Sequence, residues 1–258
     1  VEEVLVGHSE EMAELRALVR CCASSAAPVL VEGETGVGKE RVARALHSAG
    51  ACASEPFVAV DCGALPEALF ETELFGHRRG AFTGADRDHP GLVAAAGSGT
   101  LFLDEIEDLS AAQQCKLLRF LQEREYRPVG ATRARRSEAR IVAASNVDLT
   151  SLVAAGRFRR DLYFRLEVLR LTVPPLRARR TDVEGLIRHF LAEGIRREAA
   201  ARAGQRGDPF SCVSGAMPSA LHLAALASHE WPGNVRELEN VVARVLVFAR
   251  AVGWPAAW

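Results

Sequence analysis

Pro28-Val29-Leu30-Val31-Glu32-Gly33-Glu34-Thr35-Gly36-Val37-Gly38-Lys39-Glu40 decides the fold. Its first residues read as a short buried strand. A glycine-rich turn then carries the chain into a helix expected over Lys39–His47. The pattern G-x-x-x-x-G-K between a strand and a helix belongs to a phosphate-binding loop. Gly33, Gly36 and Gly38 let backbone N–H groups converge on phosphate oxygens, and the helix N-terminus adds its partial positive charge. Glu34, Thr35 and Val37 complete the cradle, and Lys39 is spaced to reach the β- and γ-phosphates. Lys39 and Lys116 are the only lysines in a chain that otherwise uses arginine, so a compact ammonium is selected at position 39. Glu40 stands where a Ser or Thr usually touches Mg²⁺. The competing reading is a chance glycine-rich turn, which the placement between strand and helix disfavours.

A second stretch, Gly99-Thr100-Leu101-Phe102-Leu103-Asp104-Glu105, is an apolar strand that ends in two acids. At the carboxyl end of such a strand, Asp104 can hold Mg²⁺ and Glu105 can polarise a water for attack on a phosphoryl group. Acid pairs at strand ends are common. Downstream of a phosphate loop, this one completes a site for ATP and Mg²⁺.

Working outward, apolar positions at helical spacing predict a helix over Glu10–Ala23. Further strands are expected at Phe57–Val60, Arg140–Ser145 and Val168–Val173, with helices at Ala111–Glu123 and Leu149–Ala155. Nearly continuous apolar strands alternating with helices predict an α/β fold, a parallel sheet covered on both faces. The pattern changes at Val173-Pro174-Pro175-Leu176. Helices are expected over Asp182–Ala203, Pro218–Ser228 and Asn234–Arg250, with a polar loop at Gly204–Met217. The expected organisation is an α/β nucleotide-binding core at 1–173, a smaller all-helical lid at 174–250 and a tail at 251–258.

The 258 residues carry 48% hydrophobic and 25% charged side chains and a net charge of −1, so no global basic field advertises nucleic acid. No apolar run approaches the ~20 residues needed to cross a bilayer, and neither a secretory leader nor a membrane partner is expected. The six cysteines, at 21, 22, 52, 62, 115 and 212, form no CxxC pair. They are expected to be reduced thiols filling apolar positions in a cytoplasmic protein, without a metal. The seven histidines show no ligand spacing.

Between the two phosphate-site motifs lies Glu73-Leu-Phe-Gly-His-Arg-Arg-Gly80-Ala81-Phe82-Thr83-Gly84-Ala85, a glycine-rich segment expected to be too flexible for a core helix. It closely resembles the GAFTGA loop in the AAA+ domain of bacterial sigma-54-dependent transcriptional activators, the enhancer-binding proteins. Gly80–Ala85 reproduces that hexapeptide without a change. Gly33–Glu40 is similar to the family's GETGTGKE, Gly99–Ile106 to its GTLFLDEI, Phe158–Leu166 to its FRxDLYYRL and Trp231–Leu238 to its WPGNVREL. The resemblance runs from Val6 to about Ala249.

The resemblance implies roles at the matching positions. Lys39 would bind phosphate, Asp104 would hold Mg²⁺ and Glu105 would activate water. Asn146 would sense the γ-phosphate, and Arg159 and Arg165 would be arginine fingers reaching a neighbouring subunit's site. Arg236 would be the lid's sensor, and Phe82 and Thr83 would engage sigma-54 from the tip of a surface loop. Asp61 stands where many relatives carry the Asn that holds the catalytic Glu idle, and Arg78 where the family often has Glu. A hexameric or heptameric ring working on the RNA polymerase holoenzyme is implied. Contact with promoter or enhancer DNA is expected only through domains outside this chain, because 250–258 cannot form a helix-turn-helix.

Plainer readings stand beside these. Asn146 could cap the helix that follows it, Arg159 and Arg165 could belong to a solvated arginine cluster, and Phe82 could pack inward. A nucleotide-binding but idle interaction ring, or another AAA+ remodelling task, are the competing functions.

Overall fold

The computed structural model describes residue 1, residues 4–201 and residues 220–252. The loop expected at Gly204–Met217 lies outside them, as does most of the 251–258 tail. Ten helices and seven strands occur among the described residues. In chain order they are α1 (Glu10–Ala23), β1 (Val29–Glu32), α2 (Lys39–Ser48), β2 (Phe57–Asp61), α3 (Glu67–Phe75), α4 (Leu92–Ala96) and β3 (Thr100–Asp104). Next come α5 (Ala111–Glu123), β4 (Glu125–Tyr126), β5 (Arg135–Arg136), β6 (Arg140–Ser145), α6 (Leu149–Ala154), α7 (Arg160–Leu166) and β7 (Leu169–Thr172). Then follow α8 (Val183–Ala201), α9 (Ala220–Ser228) and α10 (Asn234–Val252).

The expected parallel sheet is present, in the order β2-β3-β6-β1-β7. Burial explains the sequence pattern. Every residue of the central strands β1 and β6 is buried, and so is β3 up to Asp104, whereas β2 and β7 at the edges are partly exposed. The central strands can therefore be apolar throughout, and the edge strands tolerate polar positions. The register pairs Asp61 with Asp104 and Glu32 with Ser145, so polar residues gather where the strands end at their carboxyl side.

Two compact units divide the chain. One comprises Val1, Leu15–Glu34 and Lys39–Val173; the other comprises Glu2–Glu14, Thr35–Gly38 and Pro174–Trp258. The first has a core in which Phe70, Leu101, Leu103, Leu117, Phe120 and Ile141 are fully buried. In the second, Leu176, Val183, Ile187, Trp231, Leu238 and Val242 form the core. Trp231 is anchored there, with Nε1 donating to the Leu226 carbonyl at 2.8 Å. Asp182 is also buried in this unit, accepting from Ser9 N and Ser9 Oγ, both at 2.8 Å. Among the described residues no helix is long and apolar enough to cross a membrane.

Several expectations need correction. Glu73-Leu74-Phe75 is not a flexible stretch but the last turn of α3, because Leu74 and Phe75 are apolar enough to bury there. The glycines that suggested flexibility begin only at Gly76. Cys21 and Cys115 are exposed and do not fill apolar positions, since each falls on the outward face of its helix. The helix after β6 is capped by Asp148, whose carboxylate accepts from Thr150 N at 3.2 Å, and not by Asn146.

Candidate nucleotide site and surface loop

Lys39 opens α2 and is itself buried. Its Nζ donates to the carbonyls of Gly33 at 2.7 Å and Glu34 at 3.2 Å, and to Asn146 Oδ1 at 2.6 Å. Asn146 follows the last residue of β6. Its Nδ2 donates to Glu105 Oε1 at 3.3 Å, while its backbone N–H is held by Glu107 Oε1 at 2.8 Å. A single amide thus joins the ammonium to the carboxylate, and only one amide orientation satisfies both neighbours.

Asp104 ends β3, and burial pushes its carboxyl above the usual carboxylate range, opposed by the Glu105 N–H bond and the charge of Lys39. Glu105 N donates to Asp104 Oδ1 at 3.0 Å. Glu105 itself has φ 54°, a left-handed conformation that costs a non-glycine residue ~1–2 kcal/mol. Strain of this kind persists where surrounding contacts over-determine it, and here it turns the carboxylate toward Asn146. Asp61 behaves differently. Its Oδ1 accepts from Ala64 N at 3.0 Å in the turn after β2, and the partner of Glu105 is Asn146.

Phosphate and metal fit this residue set. Gly36 and Gly38 have φ 79° and 104°, and a Cβ added at Gly38 would meet nothing within 4 Å, so open space faces the loop there. Mg²⁺ is ordinarily held by one or two carboxylates together with substrate phosphates and water, not by a protein cage. Asp104 at the strand end, with Glu105 beside it and Asp61 paired to it in register, supplies carboxylates of that kind.

The helical unit holds the apex of the same loop by itself. Arg236 N donates to the Gly36 carbonyl at 3.2 Å, and Asn234 Nδ2 to the Thr35 carbonyl at 3.1 Å. Arg179, buried in that unit, donates to the Val37 carbonyl at 3.1 Å. Sequence reasoning singled out Arg236 but missed Asn234 and Arg179.

Gly80–Ala85 forms a tight turn closed by Gly80 N to the Ala85 carbonyl at 2.8 Å. Its stem is stitched by reciprocal backbone bonds between His77 and His89, each 2.9 Å, and by Arg78 N to the Val129 carbonyl. Val129 precedes the two-stranded ribbon's outer arm, so the β4–β5 excursion that sequence reasoning missed buttresses the stem. Asp88 clamps it further, accepting from Arg79 N at 2.8 Å and pairing with the Arg78 guanidinium. Phe82 is 43% exposed at the tip, with its ring edge-on to His77 at 5.0 Å. Thr83 and Gly84 are exposed beside it, and Ala81 is half-buried against Gly130.

Arg159 is the N-cap of α7, and Arg165 lies in its last turn. Gln114, buried in α5, accepts from Arg159 N at 2.8 Å and donates to the Leu109 and Arg157 carbonyls, which fixes how the chain enters that helix. Arg159 is held by both oxygens of Asp161, at 3.0 and 2.7 Å. Arg165 is exposed and forms no ion pair with a described residue. Phe164, between them, is 58% exposed.

The sigma-54 interaction domain family matches residues 5–172, two-thirds of the chain. The chain belongs to that family. An AAA+ ATPase lid domain matches residues 177–253. The chain is similar to the transcriptional regulatory protein ZraR of Escherichia coli, 46% identical over 243 residues that cover 94% of this chain and 52% of that protein. It is also similar to the response regulator protein PilR of Pseudomonas aeruginosa, 46% identical over 244 residues, 95% of this chain and 52% of that protein. Among solved structures, NtrX from Brucella abortus in complex with ATP superimposes with a TM-score of 0.81 at 32% identity, covering 96% of this chain and 53% of that one. The chain spans about half the length of these relatives. Its fold is that of an AAA+ P-loop NTPase.

Proposed function

We propose that this domain binds ATP with Mg²⁺, hydrolyses it in a ring of identical subunits, and uses the turnover to remodel sigma-54 holoenzyme through the Gly80–Ala85 loop. The observation that carries the reading is the unbroken contact from Lys39 through Asn146 to Glu105. Bound Mg²⁺–ATP supplies the transferable γ-phosphoryl group and part of its charge neutralisation. Gly33–Glu40 cradle the phosphates, with Lys39 giving up carbonyl and amide partners to meet them. Asp104 would hold the metal, and Glu105 would orient the attacking water and take its proton. Asn146 reports whether phosphate or Glu105 occupies its amide. Residues 1–173 act as the core, and 174–250 as a lid whose Arg236 senses nucleotide.

A trans-acting arginine suits the surface of α7. Arg165 has no partner within the described chain, and Phe164 beside it is exposed. Arg159 would first have to leave Asp161. The loop tip at Phe82 and Thr83 is the surface offered to sigma-54, and the domain works in the cytoplasm as a hexamer or heptamer. No contact with promoter or enhancer DNA is assigned to this chain itself.

The test is ATPase rate against protein concentration for the wild type and Arg165→Ala. Specific activity should rise steeply with concentration and fall by about 10³ in the variant, the magnitude of a lost arginine finger. Concentration-independent turnover that ignores the substitution refutes the shared site. No turnover at any concentration favours the idle ring. Thr83→Ala should then lose sigma-54 binding while keeping ATPase activity.

A further inference from the structure

A second polar cluster lies at the opposite ends of β3 and α2 from Asp104 and Lys39. At its centre is Arg140, the first residue of β6, which is 6% exposed. Its Nη1 donates to the carbonyls of Ala23 at 3.1 Å and Leu46 at 3.2 Å, and Nη2 to that of Cys22 at 2.7 Å. These acceptors are neutral, and Nε is buried with no acceptor. No carboxylate among the described residues pairs with this guanidinium, and the groups whose charge can offset it are the sulfurs of Cys52 and Cys22. A buried cation without a counter-ion is costly, and a neighbouring group that can become an anion relieves the cost.

Cys22 is buried, and burial pushes its thiol up. Cys52 is half-buried, in the turn between α2 and β2. Its Sγ lies 3.3 Å from Thr100 Oγ1 and 3.8 Å from His47 Nδ1, and those two atoms are 3.0 Å apart. Burial, with the charges of Arg140 and Arg44, pushes His47 below its ordinary value, so the ring is a neutral base at pH 7. The thiolate, not the thiol, is the nucleophile toward a peroxide, so a base in contact with the sulfur is what the reaction needs.

We propose that Cys52 is a redox modification site for hydroperoxides, with Arg140 as its buried counter-cation and His47 as its proton acceptor. The Cys52 proton passes to His47 Nδ1. The thiolate attacks one peroxide oxygen, an S–O bond forms and the O–O bond breaks. The departing alkoxide or hydroxide takes the proton back from His47. Sulfur is oxidised by two electrons to sulfenic acid and the peroxide is reduced to alcohol or water. The site is independent of the nucleotide reading.

The experiment treats the whole chain with hydrogen peroxide at pH 7, traps sulfenic acid with dimedone, and reads each cysteine by mass spectrometry. Cys52 should label at least about tenfold faster than the exposed Cys21, and His47→Gln should slow Cys52 by a similar factor without changing Cys21. Equal rates at Cys52 and Cys21 in the wild type overturn the proposal whether or not the variant folds. So does a folded His47→Gln protein, judged by circular dichroism, in which Cys52 labels at the wild-type rate.

Discussion

Replacing Asn146 by Ala removes two contacts to charged groups, the 2.6 Å bond from Lys39 Nζ and the 3.3 Å bond to Glu105 Oε1. A hydrogen bond to a charged partner contributes about 1.5–3 kcal/mol. If one such bond is made in the transition state, its loss lowers kcat by about 10- to 150-fold, at 1.36 kcal/mol per decade. Lys39 keeps its bonds to the Gly33 and Glu34 carbonyls and stays placed for phosphate, so ATP affinity should change by less than about threefold. Phosphate release measured above the assembly concentration gives kcat, and equilibrium titration with a fluorescent ATP analogue gives Kd. A kcat within about threefold of wild type refutes the coupling role. A Kd weakened by as much as kcat falls refutes it too, because Asn146 would then contribute only uniform binding.

Other perturbations separate structure from ligand. A Cβ at Gly36 would sit 2.4 Å from the Gly233 carbonyl at φ 79°, so Gly36→Ala should cost more than about 2 kcal/mol in denaturant unfolding. Gly38→Ala meets no atom within 4 Å, and it should lose nucleotide binding in the titration with a smaller stability loss. His47 has its folded-state value depressed, so the unfolded chain binds the proton more tightly. Stability should therefore fall as pH drops from about 6.5 toward the depressed value, and His47→Gln should flatten that slope in Tm against pH. Trp231→Ala removes the buried anchor of the helical unit and its bond to Leu226, and should cost about 3–5 kcal/mol by urea unfolding.

The sheet was legible because its signals are local. Buried parallel strands must be apolar along their whole length, and Val29–Glu32, Thr100–Asp104 and Arg140–Ser145 read that way at once. The site's outer markers were legible for the same reason, since Lys39 and Asp104 sit at fixed offsets from strand ends. What escaped were contacts between residues far apart in sequence. Gln114 in α5 fixes the entry to α7, yet glutamine in an amphipathic helix carries no distinguishing pattern. Asp182 looks like an ordinary helix-start acid, and only the fold reveals that it gathers Ser9. Arg140 opens an otherwise apolar strand and reads as a boundary residue, whereas it clasps the ends of α1 and α2.

Asp61 shows how such long-range contacts alter the meaning of a motif position. An acid at the end of β2 beside Asp104 and Glu105 would, in isolation, repel both carboxylates. Two contacts give these carboxylates other partners. The turn after β2 offers Ala64 N to Asp61 Oδ1, and Glu105 adopts a left-handed backbone and accepts from Asn146. The hydrogen bond on the Glu105 carboxylate therefore comes from the end of β6. Asn146 is also a partner of Lys39, so a ligand that draws Lys39 away changes the environment of the same amide that holds Glu105. Under the proposed ATPase mechanism, phosphate occupancy and release of the base are then a single event at one side chain. An Asp at position 61 is compatible with that arrangement, where an Asn would have been needed had β2 supplied the grip.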